Sequence, residues 1–92
     1  MSRTRTPIVV TGFPAIAKVI TPSDITPLMD YENNKVSMTV FAGSAGNVVC
    51  VPVGNTIAQP VTFKVTAGGL VPVEVKYVLS TGTTATDLVG LF

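Results

Sequence analysis

Five carboxylates, one thiol and no imidazole make up the reactive side chains of this 92-residue chain. A serine or cysteine nucleophile needs a neighbouring base, and histidine, the usual one, is absent. Zinc needs histidine or several cysteines, and Cys50 stands alone. Asp24, Asp30, Glu32, Glu74 and Asp87 are scattered, with no spacing that marks the carboxylate pair of a glycosidase. Asp30-Tyr31-Glu32-Asn33-Asn34 is rich in oxygen and has the composition of a calcium loop. It reads better as a solvated turn leading into a strand at Val36. Gly43-Ser44-Ala45-Gly46 lacks the Lys-Ser/Thr ending of a phosphate loop and reads as a hairpin turn. The residues therefore point to a protein that is not an enzyme, with no catalytic residue, no cofactor and no metal.

If the chain does no chemistry, its function lies in its surfaces. Charged residues are 12% of the sequence against roughly 25% in an average soluble domain, while hydrophobic residues reach 47%. A compact monomer of this length exposes roughly 5,000 Å², so its charges are spread at only about one per 450 Å². A surface so poor in charge associates, and cover by partner chains is the simple explanation. The net charge of +1, with Arg3 and Arg5 as the only local basic cluster, gives no phosphate-tracking stripe and predicts no nucleic-acid partner. Aromatic and basic residues do not cluster as an RNA-binding sheet would require. Residues 36–63 carry no charge and are long enough to span a bilayer, but the prolines and glycines among them would break a lipid-embedded helix, so no membrane is expected. The apolar stretch after Arg5 is too short and too broken by Pro7, Gly12 and Pro14 for a signal peptide. Cys50, in the apolar run Val48-Val49-Cys50-Val51, reads as a buried inert thiol.

Two regions differ in pattern. Residues 1–30 hold Pro7, Pro14, Pro22 and Pro27 between short apolar pieces, which predicts an extended arm. Its side chains must be buried on this domain's own sheet or on a neighbouring subunit. Ile8, Val9, Val10, Phe13 and Ile16 are the candidate interface residues. Thr21-Pro22-Ser23-Asp24 has the composition to cap a short helical turn. Residues 31–92 form the β-domain. Val36, Met38 and Val40, then Val61, Phe63 and Val65, then Val71, Val73, Val75, Tyr77 and Leu79 alternate with other residues and predict half-buried strands. The run Leu88-Val89-Gly90-Leu91 predicts a paired strand close to the C-terminus. Glycine-containing turns at short intervals complete the signature of an all-β fold: a single small antiparallel β-sandwich or barrel with an extended N-terminal arm.

Three separated motifs carry a family resemblance. The stretch Val71-Pro72-Val73-Glu74-Val75, followed by Thr81-Gly82-Thr83-Thr84-Ala85-Thr86 and the apolar ending at Phe92, resembles the close of spike base proteins. These are small head proteins of gene transfer agents and related tailed phages. Gly43-Ser44-Ala45-Gly46-Asn47-Val48 is similar to that family's Gly-Thr-Ala-Gly-Asn/Asp-Val turn, and Thr21-Pro22-Ser23-Asp24 to its Thr-Pro-Ser-Asp. The resemblance implies a virion structural protein, a capsid-associated subunit made in the host cytoplasm and placed at the head surface or a vertex. Its implied partners are its own copies in a ring-like homo-oligomer, the major capsid protein, and a spike or fibre protein. A capsid decoration (cement) protein, or a carbohydrate- or ligand-binding β-domain, is the alternative. The polar threonine loop is also a place where a receptor could be touched.

Overall fold

The computed structural model describes residues 14–92. Seven short strands form two antiparallel sheets: β1 (Ala17–Val19), β2 (Thr39–Ala42), β3 (Gly46–Pro52), β4 (Val61–Val65), β5 (Gly69–Leu70), β6 (Val75–Val78) and β7 (Leu88–Leu91). The first sheet runs β1-β7-β2-β5 and the second β4-β3-β6. No helix occurs among the described residues, and the fold is the small all-β sandwich that the period-two runs predict.

The core lies between the sheets. Met38, Val40 and Ala42 supply it from the first sheet, Val48, Cys50, Val75 and Val78 from the second, and Leu88 from β7. Along β2 and into β7 this is the alternation that one buried face imposes. Gly90, opposite Val40 on β7, also faces inward. A Cβ there would run into Met38 Sδ and come within 3.2 Å of Ile20 Cδ1, so the core closes against a bare backbone at this point. Two mutual hydrogen bonds between Met38 and Val75, both 2.9 Å, join the sheets at one corner.

Several local expectations change. The run from Val71 to Leu79 does not stay in one phase. Pairing passes from Val51–Tyr77 to Pro52–Val75, so Lys76 is an extra residue on β6. This bulge turns Val75 and Val78 inward together, while Val73, in the bend before β6, is exposed. Residues 43–45 are not a hairpin turn, because β2 and β3 belong to different sheets and the segment is the corner between them. The Asp30 turn is not simply solvated. Asp30 is buried, and its Oδ1 accepts the amides of Glu32 at 2.8 Å and Asn34 at 2.9 Å while Asn33 takes a left-handed φ of 64°. At Ser23 the hydroxyl accepts the Thr26 amide at 3.1 Å, which makes a capped bend and no helical turn.

The described part of the expected arm, residues 14–30, belongs to the domain. Ala17–Val19 pairs antiparallel with β7, and Ile20 and Leu28 enter the core. Prolines at 14, 22 and 27 flank this strand without falling inside it, so its ladder keeps every donor. The outward edge of β1 is capped at one point. Tyr31 Oη donates to the Ala17 carbonyl at 2.9 Å, and Lys18 Nζ donates to the carbonyls of Met29 (3.0 Å) and Asp30 (3.2 Å) beneath the Tyr31 ring.

Candidate assembly surface

The three motifs that carry the family resemblance meet at one place. Residues 80–86 lie along the side of β3 that β6 leaves open. The Leu79 amide donates to the Val49 carbonyl at 2.8 Å, and the Thr84 and Ala85 amides donate to the Asn47 carbonyl at 2.9 and 3.1 Å. Between those bonds the backbone is out of register, and threonine side chains replace it. Val49 N–H donates to Thr83 Oγ1 at 2.9 Å, and Asn47 N–H donates to Thr84 Oγ1 at 2.9 Å. Ser44 and Thr86 share a hydroxyl contact of 2.8 Å, and the Thr86 amide donates to Ser44 Oγ at 2.8 Å. Gly46 makes this approach possible. Its φ of 154° suits glycine, and a Cβ would sit 2.7 Å from the Ala85 nitrogen.

Asp24 fixes the other end of the loop. Its Oδ1 accepts the amides of Ser80 (2.9 Å) and Thr81 (3.0 Å), and its Oδ2 accepts the Thr81 hydroxyl. These donors, Thr81's first, hold the Asp24 carboxyl below its ordinary value of 3.8. Every hydroxyl of Thr81, Thr83, Thr84 and Thr86 is therefore engaged within the chain. The threonine motif is a clasp that holds a loop on the sheet, and Thr81, Thr84 and Thr86 stay exposed at the surface while they do so.

An apolar surface lies elsewhere. A groove of about 570 Å³ is walled by Pro27, Leu28, Val36, Val53, Ile57 and Tyr77, with Lys35 and Lys76 also lining it. Val53 and Ile57 are about half exposed although apolar. Their signal in the sequence is two branched aliphatics flanking the polar Gly54-Asn55-Thr56 turn, a spot where solvated residues are expected. Of the expected interface residues, Ile8, Val9, Val10 and Phe13 lie outside the described residues. Ile16 is half-buried and exchanges backbone hydrogen bonds of 2.9 Å with Phe92, which places it in the sheet beside the C-terminal residue. Cys50 is buried, and burial pushes its thiol up to about 11. Among the described residues no group of three or more histidine, cysteine, aspartate or glutamate side chains comes together that could hold a metal ion. No helix among them is long and apolar enough to cross a membrane.

No family model matches the sequence, and no curated protein matches it. A solved structure does. It is a chain of the particle described as "Capsid of native GTA particle computed with C5 symmetry", GTA standing for gene transfer agent. The match has a TM-score of 0.68 at 33% sequence identity and covers 86% of this chain and 83% of that one. At that level of identity over most of both lengths, the chain belongs to the family of this gene transfer agent capsid protein and is a virion structural protein of the phage kind.

Proposed function

We propose that this protein is the base subunit on which a head spike or fibre attaches, assembled as a ring at a capsid vertex. The observation that carries this reading is the convergence of residues 21–24, 43–48 and 80–86 on one clasp. The motifs that resemble spike base proteins thus form a single structural unit. A ring joins two different patches on each subunit, since it is a head-to-tail contact that repeats around the axis until the ring closes. One face would meet the major capsid protein and the other the spike or fibre. The shortage of charge fits, because the cores of protein interfaces are depleted in it.

Localisation on particles tests the reading. Particles carrying a tagged copy should show the label only at vertices, and particles lacking the protein should keep intact heads but lose their spikes. Label spread over the whole head would instead identify a decoration protein. Isolated protein that binds a glycan array, with no label on particles, would identify a ligand-binding domain.

A further inference from the structure

The groove and the point where the chain enters the domain adjoin. Pro14 lines a recess with Ser37, Thr39, Glu74, Leu91 and Phe92. Ser37 lines the groove as well. Glu74 ties the two together: its carboxylate accepts the Ser37 hydroxyl at 2.8 Å, and its carbonyl accepts the amide of Val53, a groove residue, at 3.0 Å. Thirteen residues precede Pro14, and those nearest to it include Ile8, Val9, Val10 and Phe13.

We propose that this groove receives residues 8–13 of a second copy of the chain. The inference rests on the ring reading above and supplies the contact that would build it. Residues 8–13 carry no charge and no proline, so they can enter an apolar groove without burying an ion and with all their backbone donors intact. Extended at ~3.3 Å per residue, they span roughly 20 Å. A groove of this size takes about two or three branched or aromatic side chains. Lys35 and Lys76 oppose entry of Arg3 and Arg5, which sets Pro7 as the outer limit of the inserted segment. An arm and a groove are different surfaces, so passing each arm to the next copy gives the head-to-tail contact that closes a ring. An arm kept in its own groove gives none.

The test is a cysteine cross-link in the full-length protein, pairing Ile57→Cys with Ile8→Cys, Val10→Cys or Phe13→Cys in turn. Cys50 is buried with a raised thiol pKa and contributes little background. Mild oxidation should give a ladder of covalent multimers on a denaturing gel, reversed by reductant and absent from each single variant. In parallel, Ile57→Asp should reduce the solution mass to that of a monomer, with a melting midpoint equal to that of the wild type diluted to monomer, because Ile57 is half exposed. Cross-links confined to the monomer band would overturn the proposal by placing the arm in its own groove. A defined ring with no cross-link, insensitive to Ile57→Asp, would overturn the groove assignment and leave the spike-base reading standing. A monomer at every concentration with no cross-link would remove both.

Discussion

At the scale of single residues, the positions that matter are those where one atom decides whether the clasp closes. Gly46 is the sharpest, because an added Cβ meets backbone and not the yielding end of a side chain. Gly46→Ala should therefore destabilise the fold by about 1–3 kcal/mol through backbone strain and crowding, read from the urea midpoint. The same substitution at Gly54, where a Cβ meets nothing within 4 Å, is the control and should have little effect. Asp24 gives a second prediction with a definite sign. Its carboxyl is held below 3.8 in the folded protein, so the ionised form binds the loop better than the protonated form. The stability it adds is present above the unfolded-state value and is lost as pH falls through the folded-state value. Melting curves from about pH 5 down to about pH 2 should show the wild type losing stability more steeply than Asp24→Asn. Parallel curves for the two proteins would mean that the ionised carboxylate does not fasten the loop.

Between residues and the molecule lie the elements, and here the departures from simple periodicity share one cause. A run of alternating valines fixes a strand but not its partner's register, and pairing β6 with β3 through a bulge changed which side chains face inward. The threonine loop answers the same problem by different means. Where β6 ends, β3 would have an open edge, and Thr83 and Thr84 accept its amides with side-chain oxygens. Thr83→Val keeps the shape and removes the acceptor for Val49 N–H. It should cost about 1–2 kcal/mol and speed hydrogen exchange at the Val49 amide, whereas Thr83→Ser should retain most of the wild-type behaviour. An unchanged exchange rate in the valine variant would mean that the hydroxyl is not the partner of that amide.

For the molecule as a whole, folding and assembly should separate. The described core draws its buried side chains from residues 20–88. If residues 8–13 dock on a second copy, Phe13→Ala should weaken assembly, seen as a lower solution mass by light scattering, with the melting midpoint of the monomer little changed. An equal loss of both would make Phe13 part of the folding core. Cys50 reports the opposite property: buried between the sheets, it should resist alkylation in the native protein and react only at the rate of global unfolding. Much of this was legible beforehand. The absence of histidine, the shortage of charge, the period-two runs and the turn residues determined an all-β protein built to bind others, because composition and local alternation act through burial and backbone geometry alone. Leu88-Val89-Gly90-Leu91 was legible as a strand in the same way, but only the fold made it the central partner of both β1 and β2. The tertiary structure alone decided that Ala17–Val19 joins the domain's own sheet, that residues 43–45 turn a corner between sheets, and that the threonines face a strand edge. It also placed Val53, Ile57 and Tyr77 around one groove, although Ile57 and Tyr77 are twenty positions apart. Each of these is a pairing between segments distant in sequence, and local propensity holds no information about which distant edge a strand or loop will meet.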